Sequence, residues 1–340
     1  VQVLTELAHD PENKVRWCVA SNPLTPVSLL TVLATDPDVR GGVSNNPSTP
    51  LSLLTELAHD PNEDIRRGVA RNPSTPVQVL TQLAHDPSAF VRDRVAKHPL
   101  TPVLVLTELA NDPENQVRWY VASNPLTPVQ VLTELAGDPE NSVRRAVGGN
   151  PSTLVTVLTE LANAKAAEVR RGVAENPSTP VPILTELARD PDEEVRYHVG
   201  GNPSTPVSLL TQLANDPDAR GGVAENPATP LSIIATLARR PDTFLRLSVS
   251  GNPSTPVQVL SLFAHDADEY LRQKVAWNPS TPLDVLEMLS RDSANAVREA
   301  VASNQGHPQE GEVQEPTSTP DPINNRARRR VISLELPGQE

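Results

Sequence analysis

The chain has 340 residues, a formal net charge of −13, one cysteine, and only three each of Phe, Tyr and Trp. So few aromatic anchors argue against two ordinary globular cores and for a core of many small aliphatic contacts. The acidic balance speaks against a surface built generally for polyanions, Cys18 permits no internal disulfide, and no stretch approaches the roughly 18 apolar residues of a membrane span. The lone thiol suits a reducing compartment, so a cytoplasmic location is expected. The chain starts at Val1 without Met, inside a repeat, and so reads as a fragment or a processed form.

The dipeptide Asn-Pro recurs with Asn at 22, 46, 72, 124, 150, 176, 202, 226, 252 and 278; His98-Pro99 fills the one gap and Asn304 closes the series. The steps are 26 residues except for two of 24, a period that signals stacked solenoids. Residues 1–303 therefore read as one array, a partial repeat at 1–21 followed by eleven full repeats at 22–303. Thirty of the 36 prolines keep three fixed phases, after the repeat Asn or His, after Thr, and after the loop Asp or its substitute.

Residues 124–149, NPLTPVQVLTELAGDPENSVRRAVGG, show the unit. A helix is expected to start at Thr127-Pro128, the Thr hydroxyl capping an early amide and Pro occupying the first turn. Val129, Val131, Leu132, Leu135 and Ala136 then fall on one side, with Leu132 and Leu135 entering the core and Thr133 and Glu134 facing water. A second start is expected at Asp138-Pro139, with Asp as the cap, leading to a short helix in which Val143 and Val147 point inward and which has room to be partly 3₁₀. Pro after Asn then forces an extended link. One unit leaves its apolar face open, so only stacking can bury it.

The string N-P-x-T-P-x-x-x-L-x-x-L-A-x-D-P-(x)-V-R-x-x-V-A, seen from Asn72-Pro73 through Ala96 and in nearly every unit, resembles the variant leucine-rich repeat (LRV) family of bacterial proteins. The resemblance covers roughly residues 1–303 and implies an all-α fold, a right-handed solenoid of about twelve 24- to 26-residue repeats with alternating α and 3₁₀ helices. Some members of that family carry a cysteine-rich N-terminal module holding an iron–sulfur cluster. Cys18 stands alone where other units have Gly42, Gly68, Arg94 or Tyr120, so no cofactor and no metal are expected in this chain. The resemblance implies no catalytic activity.

An Arg follows the second-helix aliphatic residue in every unit, and an Asp precedes it in most. Asp60, Arg66, Asp86, Arg92, Asp112, Arg118, Asp138 and Arg144 are read as a structural ladder in which each guanidinium bonds carboxylates or carbonyls of its own or the adjacent layer. Ala164 and Arg240 replace the Asp, and there the ladder should break. The repeat Asn reads as a second ladder. His9, His59, His85 and His265 lack companion ligands, which argues against a metal site.

The two positions after each ladder Arg vary while their surroundings do not: Trp17-Cys18, Gly41-Gly42, Arg67-Gly68, Asp93-Arg94, Trp119-Tyr120, Arg145-Ala146, Arg171-Gly172, Tyr197-His198, Gly221-Gly222, Leu247-Ser248, Gln273-Lys274 and Glu299-Ala300. Trp17, Arg67, Arg94, Trp119, Tyr120, Arg145, Arg171, Tyr197 and His198 are the residue types of interface hot spots and are taken as the partner-binding set; the alternative is that Trp17, Trp119 and Tyr197 merely cover gaps between layers. Both 24-residue units carry Gly-Gly here and are expected to be thin, loose layers.

The segment 304–340 reads as a disordered tail, with a basic run at Arg326, Arg328, Arg329 and Arg330 before the apolar VISLEL. The sequence thus points to a non-enzymatic scaffold that binds a protein or peptide on its second-helix face, with no membrane partner. Two other readings stand beside it. One is nucleic-acid binding through Arg67, Arg71, Arg94, Lys97, Arg145 and Arg171, against which the interleaved acids weigh. The other is membership of an iron–sulfur or redox protein whose cluster module is not in this chain.

Overall fold

Each unit folds as two short helices, because Pro sets where one starts and a carbonyl-seeking side chain sets where the other stops. In the unit of residues 124–149 the first helix is Val129–Leu135 and the second Asn141–Gly149. Pro128 stands at the N-cap with ψ of 147°, and its carbonyl takes the first helical bond, from the Leu132 amide. Val131, Leu132, Leu135 and Ala136 are buried, as are Val143 and Val147 of the second helix. Each such side chain contributes about 1.5–3 kcal/mol of hydrophobic stabilisation.

Two expected caps fall elsewhere. The Thr hydroxyl does not receive an early amide: Thr153 Oγ1 donates to the Val147 carbonyl at 2.6 Å, closing the helix behind it. The loop Asp is not the second N-cap either, which in this unit is Glu140. Asp138 Oδ1 accepts the Glu140 amide at 2.9 Å, shaping the turn that leads into the N-cap. The second element is α-helical over nine residues in most layers, longer than the seven of the usual first helix.

A computed structural model describes residues 2–304, and among them stand 24 helices, from Gln2–Leu7 to Asn295–Ser303, and no strand. The remainder of the segment read as a tail, including its arginine run and VISLEL, lies outside the described residues. Buried side chains from Ala8 to Val301 form one continuous core. Successive second helices pack directly on one another, whereas first helices hardly touch each other and lean on the second helices either side.

Close packing of the second helices is what the glycines serve. A Cβ on Gly172 would stand 2.3 Å from the Arg145 carbonyl oxygen, and one on Gly222 would stand 2.0 Å from that of Tyr197. The Gly-Gly layers are therefore tightly apposed to their neighbours rather than loose. They are thinner in one sense, since their second helices, Arg40–Asn45 and Arg220–Glu225, have six residues.

Layers are stitched by the repeat Asn. Asn176 Nδ2 donates to the carbonyls of Gly148 and Asn150, both at 2.7 Å, while its Oδ1 accepts the Ser178 amide at 2.8 Å. The same bonds recur at Asn46, Asn72, Asn124, Asn150, Asn202, Asn226, Asn252 and Asn278. At His98 the imidazole reaches one carbonyl, that of Asn72 at 3.0 Å, and its other nitrogen takes the Leu100 amide. Burial holds this imidazole below its ordinary 6.5, against the pull of the Asn72 carbonyl, so it stays neutral at pH 7.

Asn176→Ala strands two buried carbonyls and an amide, and should lower stability by about 3 kcal/mol, read from urea unfolding. His98→Asn should do the opposite, adding about 1 kcal/mol by restoring the second bond. Because the folded-state imidazole titrates below 6.5, the wild-type contribution is full above that pH and is lost as pH falls beneath it. The variant should lack this part of the acid sensitivity; equal pH dependence of the two proteins between pH 7.5 and 5.5 would contradict the assignment.

Candidate partner-binding face

The invariant charges are consumed in the frame. Arg118 Nε and Nη2 grip Asp138 Oδ2 and Oδ1 of the next layer at 2.6 and 3.1 Å, while Nη1 donates to the Asp112 carbonyl of its own loop at 2.9 Å. Arg66–Asp86, Arg92–Asp112 and Arg170–Asp190 repeat this fork, so each Asp turns its carboxylate to the layer before and its carbonyl to its own. Burial alone would raise the Asp138 carboxyl, but the Arg118 hydrogen bond, the Glu140 amide and the charges of Arg118 and Arg144 hold it below the usual range. The bond to Asp138 in turn outweighs burial and raises the Arg118 guanidinium.

The two substituted layers behave differently. With Ala164 opposite, Arg144 makes no ion pair and turns back to the Asp138 carbonyl and Asn141 Oδ1. At Arg240 the expected break does not occur, because Arg220 reaches past it to Asp242 at 3.1 Å. The shortened layers keep their rungs as well: Arg40 holds Asp60 at 2.9 Å across the same 20-residue step that joins Arg118 to Asp138.

Along the second-helix face, Trp17 is exposed and Trp119, Tyr120, Tyr197 and His198 are half-buried. Trp119 and Tyr120 meet edge-on with ring centroids 4.8 Å apart. Asp93, one of the variable residues, is buried instead, only 3% exposed, with Arg94 Nε 3.1 Å from its carboxylate. Burial raises its carboxyl, against the charges of Arg94, Arg67, Lys97 and Arg71.

A third variable column was not picked out from the sequence. It is the last residue before the repeat Asn, four after the first variable position and hence on the same helical face: Ser21, Asn45, Arg71, Lys97, Ser123, Gly149, Glu175, Gly201, Glu225, Gly251, Trp277 and Ser303. Its variability was the available signal. Glu175 gathers Arg145 at 2.9 Å, Arg171 at 3.6 Å and His198 at 3.4 Å, spanning three layers. Glu225 accepts the Tyr197 hydroxyl at 2.8 Å and the Ser248 hydroxyl at 2.9 Å. Burial first, then the bond to Glu225, pushes the Tyr197 phenol upward, so it remains a donor. Arg67 pairs with Asp64 at 2.8 Å.

Between these columns lies a cleft of about 230 Å³ lined by Trp119, Ser123, Arg145, Gly149, Pro151 and Glu175 among others. One aromatic wall, a glycine floor and a charged rim suit an apolar side chain flanked by polar backbone. Cys18 is exposed, and among the described residues no group of three His, Cys, Asp or Glu side chains is placed to hold a metal ion. No helix of the described residues is long and apolar enough to cross a membrane.

A stack of two-helix layers sharing one core, joined by an amide ladder and an ion-pair ladder, is an α-solenoid of short tandem repeats. Residues 63–88 and 167–192 match the family described as leucine rich repeat variant, and the other layers carry the same string in the same register. Similar solved structures include one described as a leucine-rich repeat variant with a novel repetitive protein structural motif, 22% identical over 72% of this chain and 88% of that one, with a TM-score of 0.37. An engineered protein is 16% identical over 88% of this chain and 97% of its own, with a TM-score of 0.29. Importin beta in an ammonium sulfate condition is 12% identical over 88% of this chain and 44% of its own, at 0.28. No curated protein matches the chain.

Ala164→Asp should give Arg144 the carboxylate it lacks and add about 1 kcal/mol at pH 7 by urea unfolding. Ladder carboxyls such as Asp138 titrate below their ordinary 3.8 when folded, so what they contribute is present above that pH and lost as pH falls through the folded value. The gain from the new rung should therefore shrink as pH falls below 3.8; an equal gain at pH 7 and well below 3.8 would mean that packing, and not the ion pair, produced it.

Proposed function

We propose that this solenoid is a non-catalytic scaffold that binds an extended peptide or protein segment along its second-helix row, with the cleft beside Trp119 and Tyr120 as the anchor. The observation that carries the reading is that pair itself: two large amphipathic rings left half-exposed on a frame whose other variable positions are mostly small or charged. The close succession of second helices, against the sparse contact between first helices, supports placing this row on the inner side of the array's curve. Such a concave surface offers a long partner many small contacts without any change in the frame.

The nucleic-acid alternative needs free cations at regular intervals. Arg145 and Arg171 share Glu175, and Arg67 is paired with Asp64, which leaves too few for a run of backbone phosphates. For a redox reading, the lone exposed thiol of Cys18 provides no ligand set.

A displayed random-peptide library panned on the protein tests the proposal. Peptides enriched on the wild type should bind Trp119→Ala/Tyr120→Ala at least about tenfold more weakly, the loss expected of an aromatic anchor, while helical signal and melting stay unchanged. Peptides that bind both proteins equally would remove this face from consideration.

A further inference from the structure

Three cations line one hollow on the second-helix face. Arg71 and Lys97 are the last residues of consecutive second helices, Glu63–Arg71 and Ala89–Lys97, and with Arg94, Ala70, His98 and Pro99 they enclose about 190 Å³. Lys97 Nζ and the Arg94 guanidinium both hang over the Tyr120 ring, 5.6 and 5.4 Å from its centroid, and Arg94 Nη1 is 3.4 Å from the Tyr120 hydroxyl. One aromatic face thus holds two like charges side by side, an arrangement that an anion between them would relieve.

The counter-charge at hand is insufficient. Asp93 lies buried beside Arg94 and does not line the hollow, and its Oδ1 and Arg94 Nε are both without a well-directed hydrogen bond. Arg67, the fourth cation near Asp93, is already paired with Asp64. Arg71, Arg94 and Lys97 set against Asp93 leave an excess of two positive charges, and neutral His98 changes nothing. The Trp119 cleft differs, since Glu175 sits in its wall and answers Arg145.

We propose that the hollow between Arg71, Arg94 and Lys97 binds a single phosphorylated side chain, phosphoserine or phosphothreonine, carried by an extended peptide. A phosphate monoester brings about −1.5 to −2 charges at pH 7 and three acceptor oxygens, matching the excess and the number of donors, where a carboxylate brings one charge. Pro99, which is exposed, gives the ester's carbon stem an apolar wall. The inference rests on the second-helix row being a peptide-binding face and names what one position on it reads.

Phosphorus NMR titration of the full chain with N-acetyl-phosphoserine methylamide is the test, with inorganic phosphate, N-acetyl-glutamate methylamide and a single-stranded oligothymidylate as competitors. The ester should show a saturable shift at moderate salt. Arg94→Gln/Lys97→Gln should weaken it at least about tenfold, the loss expected of two charge-assisted contacts, while Lys14→Gln leaves it unchanged. Melting followed by circular dichroism checks that both variants fold, and Arg71→Gln supplies a second reading should the double variant fail. No saturable shift overturns the proposal, as does a shift that survives the double variant. Inorganic phosphate or the glutamate derivative competing as well as the ester would reduce the hollow to a general anion site, and tighter, strongly salt-dependent competition by the oligothymidylate would assign it to nucleic acid; either result also overturns it. Library peptides that still depend on Trp119 and Tyr120 would leave the broader scaffold reading intact in each of these cases.

Discussion

One side-chain amide per layer holds the array together. The second helix of every unit ends against a Pro-forced extended link, which leaves its last carbonyls buried with no helical partner. The repeat Asn of the following layer supplies two N–H groups to those carbonyls and turns its own oxygen to the amide two residues on, so three buried backbone groups are satisfied by one residue. Layer spacing follows from the reach of that side chain, and the close apposition of second helices follows from the spacing. Glycines, the buried Val pairs and the Arg–Asp forks all conform to it.

The architecture was legible because the same few residues recur at a fixed step, and a unit that cannot bury its own apolar face must stack. What was misjudged were roles in which one residue type serves two turns equally well. Thr and Asp are preferred at helix N-caps, but they also bond backbone groups in tight turns. The extended ψ of Pro128 decides between these uses, by making Pro the cap and freeing the Thr to close the helix behind it. Likewise a repeat cannot say whether Arg118 pairs with the Asp six residues before it or the one 20 residues after, since every layer offers both; it takes the earlier residue's carbonyl and the later one's carboxylate.

The variable columns of the second helices were legible in outline, but the pairing of their charges was not. Variable positions on a constant frame marked one helical surface, yet Arg67, Arg145 and Arg171 look free in the sequence and are paired in the structure. Arg145 and Glu175 are 30 residues apart and become neighbours only through stacking. The column that contains Glu175 escaped notice because it adjoins the constant Asn-Pro, which drew it into the frame. Asp93 departed for a different reason: in most layers its position faces outward, and only the surrounding cations make burial of a carboxylate there tolerable.

Two junctions, with two layers between them, each miss one bond of a ladder. The His98 layer is tied to its predecessor by one imidazole bond in place of two amide bonds, and the layers joined at Ala164 lack the Arg–Asp rung, although Arg145 and Glu175 pair across them. In a one-dimensional stack, cooperativity passes only from neighbour to neighbour, so a ladder bond missing at one junction has no substitute elsewhere along the chain. The half-exposed rings of Trp119 and Tyr120 ride on the two layers between them. A ligand long enough to overhang those layers on both sides would splint the two junctions at once.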